Sequence, residues 1–215
     1  ATSEEYFLAQ AMMRGIGSGN IDHRLRQADF SDDAAQPAAP AFAMKVADIE
    51  GADAVLLVAC NPRHEAPIIG HRVRQAWRSG AQVSAYNPVD WNFHFQTGLN
   101  AIAAPQKLVG ELAALAAAVE KRSGKAAPEA LRAELDKANV GEAHEALAAR
   151  LADAGNGLVM VGQSAEAHGN GAWLRALAAY IASATGSALN VLPGGGNSQG
   201  AWLAGAVPHR GPGGS

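Results

Sequence analysis

Residues 54–67 read Ala54-Val55-Leu56-Leu57-Val58-Ala59-Cys60-Asn61-Pro62-Arg63-His64-Glu65-Ala66-Pro67, and this stretch decides the fold. Its first six residues are continuously apolar, which is typical of a parallel strand that is buried on both faces. Asn61-Pro62 ends the strand, and Pro67 suits the first position of the helix that follows. A second strand is predicted at residues 81–86 and stops at Asn87-Pro88. Strand, helix and strand within about 35 residues predict a βαβ unit with parallel strands.

The rest of the chain continues this alternation of helices and strands. Further helices are predicted at 106–122, 128–138, 142–154 and 171–185, and further strands at 157–161 and 188–192. The pattern predicts an α/β fold with a doubly wound, mostly parallel sheet. The helical region at about 106–154 is predicted to be an insert in a domain that covers residues 1–208. Residues 209–215 are low in complexity and predict a flexible tail.

Composition and charge exclude several classes of partner. The 215 residues are 48% hydrophobic and 17% charged, so the chain is expected to fold. A net charge of −3 with scattered basic residues argues against a nucleic-acid partner. Neither an apolar run of about 18 residues nor a signal peptide is present, so we expect a soluble chain without membrane insertion. The absence of an initiator Met before Ala1 fits a piece of a longer protein.

The content of Cys and His argues against metal chemistry within this chain. Cys60 is the only cysteine, which excludes a disulfide framework and an iron–sulfur cluster held by this chain alone. The seven His residues form neither an HExxH motif nor a pair at i, i+4, so no metal site is expected. Cys60 ends a buried strand, and an inert thiol in the core is favoured over a nucleophile. No catalytic residue is assigned.

Three loops follow predicted parallel strands, at the edge where open α/β sheets bind their ligands. In the first loop, Asn61 and Arg63 are candidates for contacts with a phosphate at a helix N-terminus. The alternative is a capped turn in which Arg63 pairs with Glu65, and composition alone favours that turn.

The second and third loops are rich in glycine. The second, residues 162–171, contains Ser164 and His168 but no phosphate-binding or nucleophile-elbow motif, so an ordinary connection is favoured. The third, residues 194–201, contains Gly195 and Asn197, and the ligand and turn interpretations stay open. Together the three loops supply the candidate residues of a vestigial cofactor-binding pocket. They are Asn61, Arg63, Ser164, His168, Gly195 and Asn197.

Three segments in order resemble the molybdopterin-oxidoreductase superfamily. They are Asn20-Ile21-Asp22-His23-Arg24, the strand and loop from Ala52 to Pro67, and residues 196–208, which begin Gly196-Asn197-Ser198-Gln199-Gly200. Within the superfamily, the chain is most similar to the large iron–sulfur (G-type) subunit of bacterial respiratory complex I, the NADH:quinone oxidoreductase. The likeness extends along most of the chain.

The resemblance also implies that the cofactor pocket is vacated or altered. In relatives such as formate dehydrogenases and nitrate reductases, these loops hold a bis-molybdopterin guanine dinucleotide. After the Asp-His element, those relatives often carry Arg-Leu-Cys-His. At that place, after Asp22-His23, this chain has Leu25-Arg26-Gln27-Ala28. They typically carry Asp-Pro-Arg after the second strand, where this chain has Asn87-Pro88-Val89-Asp90. Their Pro-Gly-Thr-Asp element is replaced by Gln96-Thr97-Gly98-Leu99-Asn100.

What the resemblance implies for function is a structural domain of the complex I peripheral arm. Such a fragment is expected to be non-catalytic and to hold neither molybdenum nor a cluster, with iron–sulfur clusters in the N-terminal part of its parent subunit. Its partners would be other peripheral-arm subunits at the cytoplasmic face of the bacterial inner membrane. One alternative is a fragment of an active bis-molybdopterin enzyme such as a formate dehydrogenase. Another is an unrelated α/β module that binds a nucleotide or a sugar.

Overall fold

A five-stranded parallel sheet forms the centre of the computed structural model, which describes residues 1–26, 29–39 and 41–215. The strands are β1 (Ala54–Val58), β2 (Gln82–Asn87), β3 (Leu99–Ile102), β4 (Gly157–Val161) and β5 (Ala188–Val191). Their spatial order is β3-β2-β1-β4-β5, so Ala54 of the central strand pairs with Gln82 on one side and Gly157 on the other. The predicted α/β class with a parallel sheet is confirmed.

Helices surround this sheet. They are α1 (Ser3–Gly15), α2 (Pro62–Glu65), α3 (Pro67–Arg78), α4 (Pro105–Ser123), α5 (Glu129–Leu135), α6 (Glu142–Asp153), α7 (Gln163–Glu166), α8 (Gly171–Thr185) and α9 (Ser198–Leu203). Short 3-10 helices occupy Asp33–Ala35, Val46–Gly51 and Pro212–Gly214. Helix α1 begins with a capping box, in which the Thr2 hydroxyl accepts the Glu5 amide at 3.2 Å and the Glu5 carboxylate accepts the Thr2 amide at 2.7 Å.

The sheet has a separate apolar core on each face. Side chains alternate along β1, so Leu56 packs with α4, α6 and α8, whereas Leu57 packs with α3 and the 3-10 helix at Val46–Gly51. Both side chains are fully buried. A strand that is buried on both faces can be apolar throughout, which explains the continuous run that the sequence shows.

The region predicted as a helical insert forms one of the two helical layers together with α8. Helix α4 packs on α6, α8 and β2, and its Leu108, Leu112 and Leu115 are buried, as their spacing predicts. The helices α4, α5 and α6 thus return the chain from β3 to β4 while they cover one face of the sheet. No helix in the described part of the chain is both long enough and apolar enough to span a membrane.

Strand β3 was not predicted from the sequence. It is four residues long and lies at the edge of the sheet, so three of its side chains are only partly buried, Ile102 is exposed, and the apolar pattern is weak. Residues 88–98 connect it to β2 without forming a helix. Phe93 in this connection is buried against the face that α3 covers, and its ring stacks on Phe95 at 5.3 Å between centroids.

The C-terminal segment lies against the region around residues 33–37. The Arg210 guanidinium donates to the carbonyl oxygen of Gln36 at 3.0 Å and to that of Asp33. His209 Nδ1 is 3.2 Å from the Asp33 carboxylate. The flexibility of residues 209–215 and the domain limit at residue 208 stay predictions.

Candidate functional site

The strand order places a topological switch point between β1 and β4. After β1 the chain continues into α3 on one face of the sheet, and after β4 it continues into α8 on the opposite face. The two loops, residues 59–66 and 162–170, therefore part at the carboxyl edge of the sheet. A crevice at this position is where open α/β sheets bind ligands.

The floor of this crevice is closed by direct contact between the two loops. The Gly162 amide donates to the carbonyl of Val58 at 3.0 Å. A Cβ atom on Gly162 would lie 2.3 Å from the Cα of Cys60 and 2.4 Å from the carbonyl oxygen of Ala59. Only glycine fits here, because any side chain would overlap the backbone of the β1 loop.

The Glu65 carboxylate joins the two loops above this floor. One of its oxygens accepts the Asn61 amide at 2.7 Å, and the other accepts the Gln163 amide at 2.7 Å. Burial raises the pKa of the Glu65 carboxyl, and these two backbone hydrogen bonds lower it in part. The carboxylate therefore accepts hydrogen bonds from backbone amides on both sides of the switch point.

The predicted pairing of Arg63 with Glu65 is wrong, although the loop is a capped turn. Arg63 is exposed, and its guanidinium donates to the carbonyl oxygen of Asn92 at 3.1 Å. Glu65 accepts backbone amides instead, because α2 turns its side chain back toward the preceding loop. Sequence reasoning did not include Glu65 among the site residues. An acidic residue in the first turn of a helix was the available signal.

Two buried amide side chains carry polar atoms without a partner in the described structure. Asn61 is 6% exposed and its Oδ1 accepts no hydrogen bond. Asn87, at the end of β2, accepts the Cys60 amide through Oδ1 at 2.9 Å, while its Nδ2 is unpaired. Both side chains are neutral and therefore add no positive charge to the crevice.

Cys60 is an inert thiol of the core, as predicted. Its side chain is fully buried. Burial raises the pKa of this thiol well above its usual range, and the negative charge of Glu65 acts in the same direction. The nucleophilic thiolate form is therefore disfavoured.

Ser164 and His168 lie together on the wall of a cavity of about 550 Å³. The other lining residues are Pro88, Pro105, Gln106, Leu108, Ala167, Gly169 and Asn170. His168 Nδ1 accepts the Asn170 amide at 2.9 Å, so Nε2 carries the proton and donates to the carbonyl oxygen of Pro105, also at 2.9 Å. Both ring nitrogens are thus engaged in tying the start of α4 to the start of α8.

Gly195 and Asn197 do not line this cavity. Gly195 is exposed, and Asn197 has a left-handed backbone with φ of 64°. The Asn197 Nδ2 donates to the carbonyl oxygen of Ala1 at 3.0 Å, and its Oδ1 accepts the Ser3 hydroxyl at 3.3 Å. The third loop therefore binds the start of the chain. The Gln163 side chain joins it to the second loop through the carbonyl of Pro193 at 3.0 Å.

Two of the three family-like segments meet in a cluster that we call the Arg24 clasp, formed by Asp22, His23, Arg24, Phe30, Asp33, Trp202 and Ala206. The Arg24 guanidinium binds Asp22 at 2.8 Å and Asp33 at 2.5 Å, and its side chain is 5% exposed. It also lies over the Trp202 ring, 5.0 Å from the centroid. His23 Nδ1 is 3.0 Å from the carbonyl oxygen of Ala206. The clasp joins residues 20–24 to residues 196–208.

The residues at the switch point do not fit a pyrophosphate group. The N–H donors of Asn61 and Gln163, which face the crevice from its two loops, already bind the Glu65 carboxylate. A phosphate at the same donors would meet a negative charge in place of a cation. Among the residues that the structure describes, no cluster of three or more His, Cys, Asp or Glu side chains could hold a metal ion.

Comparisons with known proteins agree with this architecture. The family model for molybdopterin oxidoreductase matches residues 1–210. A solved structure of the formyltransferase/hydrolase complex from Methylorubrum extorquens, in complex with methylofuran, is similar in fold with a TM-score of 0.58 and 18% sequence identity. That match covers 89% of this chain and 50% of the other, so this chain spans half the length of that relative. The chain belongs to the molybdopterin oxidoreductase family.

Proposed function

We propose that this chain is a structural domain of the large iron–sulfur subunit of bacterial respiratory complex I, the NADH:quinone oxidoreductase. It supports the peripheral arm at the cytoplasmic face of the inner membrane and contacts other subunits of that arm. It holds neither molybdenum nor a cluster. Electrons from NADH pass through iron–sulfur clusters in the N-terminal part of the parent subunit, and not through the residues described above.

The observation that carries this proposal is that the family-like segments contact other parts of the chain. Residues 20–24 and 196–208 bind each other in the Arg24 clasp. Asn197 holds the first residues of the chain. Segments that hold a cofactor in the relatives here hold the domain together, which supports a scaffold.

The surface of α1 supports a role in a larger assembly. Three of its large apolar side chains are substantially exposed, with fractions of 48% at Phe7, 67% at Leu8 and 64% at Met12, and Ile16, just past its end, is 73% exposed. Exposed apolar side chains grouped on one element are typical of protein interfaces. The similar solved chain is also part of a complex.

A second candidate is a fragment of an active molybdenum or tungsten oxidoreductase, such as a formate dehydrogenase. The observation in its favour is the cavity beside Ser164 and His168, which lies on the carboxyl edge of the sheet. The two candidates differ in the metal content of the parent protein.

The metal content of the full-length parent, purified from its native host, tests both candidates. We expect elemental mass spectrometry to find iron and neither molybdenum nor tungsten. About one molybdenum or tungsten atom per chain would contradict the scaffold and support the oxidoreductase. Iron serves as the internal control, because its presence shows that the preparation has retained its metal centres.

A further inference from the structure

We propose that Glu65 is a built-in anion that occupies the ligand position of the switch point and keeps phosphate-bearing ligands out of it. The inference does not depend on complex I. It requires only the contacts between Glu65 and the loops after β1 and β4.

The geometry of these contacts is that of a bound anion. The two carboxylate oxygens each accept one backbone N–H, from Asn61 and from Gln163, and both distances are 2.7 Å. Such short bonds are typical of N–H donors to a charged oxygen. A phosphate would accept the same two N–H groups through two of its oxygens. The Glu65 carboxylate therefore makes the hydrogen bonds that a phosphate would make.

An ordinary helix cap does not explain this arrangement. A local cap would satisfy the Asn61 amide, which precedes Glu65 by four residues. Glu65 also binds Gln163, which is 98 residues away in sequence and belongs to the loop of a different strand. The side chain therefore spans the crevice from one wall to the other.

The position of Glu65 is fixed by tight packing between α2 and α3. A Cβ atom on Gly70, in the first turns of α3, would lie 2.9 Å from both the Cα and the amide nitrogen of Arg63. Because Gly70 has no side chain, α3 approaches the backbone of α2 closely enough to hold its last residue in place. The carboxylate is thus held in place before any ligand arrives.

The effect on an incoming phosphate follows from charge. The Glu65 carboxylate and a phosphate would compete for the same two donors, and each carries a negative charge. Like charges brought together at a binding surface weaken binding by about 100-fold or more. The native crevice should therefore reject a phosphate that the same crevice without Glu65 would accept.

Inorganic pyrophosphate is the probe for this proposal. The full chain is labelled with ¹⁵N, and the amide resonances of Asn61 and Gln163 are followed during titration. In Glu65→Ala we expect both amides to shift with saturable binding, about 100-fold or more tighter than in the native chain. The matched control is Glu145→Ala, which removes a half-exposed carboxylate on α6 and should behave like the native chain.

Two results would overturn the proposal. One is pyrophosphate binding to the native chain as tightly as to Glu65→Ala, and the other is the absence of any response at the two amides of that variant. If Glu65→Ala does not fold, Glu65→Gln keeps the size of the side chain without its charge. Its Asn61 and Gln163 amide protons should then move upfield from their native positions, and unchanged positions would contradict the proposal. None of these results bears on the complex I assignment, which the metal content of the parent tests separately.

Discussion

Gly162 determines, at the scale of a single residue, how closely the two loops of the switch point approach. The space for a side chain is filled by the backbone of Ala59 and Cys60, at distances that real Cβ atoms do not reach. Sequence reasoning identified a glycine-rich loop at this point but not which of its glycines was required. That requirement depends on a neighbour distant in sequence, which no local pattern encodes.

Substitution of Gly162 is expected to destabilise the fold. Gly162→Ala forces the two loops apart, and overpacking of this kind costs about 2–3 kcal/mol in free energy of unfolding. Gly110→Ala on α4 is the matched control, because its Cβ would meet no atom within 4 Å. In this helical position alanine should add about 0.5–1 kcal/mol. Urea unfolding measures both changes, and equal stability of the two variants would contradict the close approach.

At the scale of secondary-structure elements, predictability follows burial and length. Strands β1 and β4 are buried on both faces, so their sequences are continuously apolar and both were predicted. The four-residue helices α2 and α7 are too short to show a helical period, and β3 is a short edge strand. Their conformations depend on the elements around them, and the local sequence therefore did not reveal them.

The connection between α4 and α5 is expected to give the chain a pH-dependent stability. Two hydrogen bonds from Arg132, at 2.6 and 2.8 Å, and one from the Ala127 amide lower the pKa of Glu120 from its usual 4.5 to about 2. Because the folded-state pKa is depressed, this stabilisation is present above pH 4.5 and is lost as the pH falls toward 2.

Urea unfolding of the native chain and Glu120→Gln at several pH values measures this contribution. The native chain should be the more stable near neutral pH, and the difference should be constant down to the usual glutamate pKa. Below that value the difference should shrink and then vanish. A difference that does not change between neutral and strongly acidic pH would show that the Glu120 carboxylate does not titrate as described.

At the scale of the whole molecule, the structure divides the predicted site residues into groups. Ser164 and His168 share one cavity wall, whereas Asn197 binds the start of the chain and Arg63 reaches Asn92. The sequence resemblance identified the molybdopterin oxidoreductase family correctly. It could not reveal which loops meet, since contacts such as that between Glu65 and Gln163 depend on the completed sheet.

The Arg24 clasp should contribute strongly to global stability, because it joins residues 20–24 to residues 196–208, which are distant in sequence. Arg24→Ala leaves the Asp33 carboxylate, whose side chain is only 13% exposed, without the Arg24 guanidinium, and we expect a loss of about 3 kcal/mol. Arg122→Ala is the control, since the Arg122 side chain is 52% exposed in its pair with Asp153 and its loss should cost less than about 1 kcal/mol.

Urea unfolding followed by intrinsic Trp fluorescence suits this comparison, because Trp202 lies in the clasp. The two variants should show the same dependence on denaturant but different midpoints. Similar midpoints for both variants would show that the clasp contributes no more than a surface ion pair.

The strand order also has a consequence for the biosynthesis of the chain. Strands β1, β2 and β3 are made first, and β4, which pairs with the free side of β1, is made only after α4, α5 and α6. Until β4 emerges from the ribosome, β1 is an unprotected apolar edge of the kind that promotes aggregation. The nascent domain therefore passes through a stage in which it is prone to aggregation. This stage ends when β1, the central strand, pairs with β4.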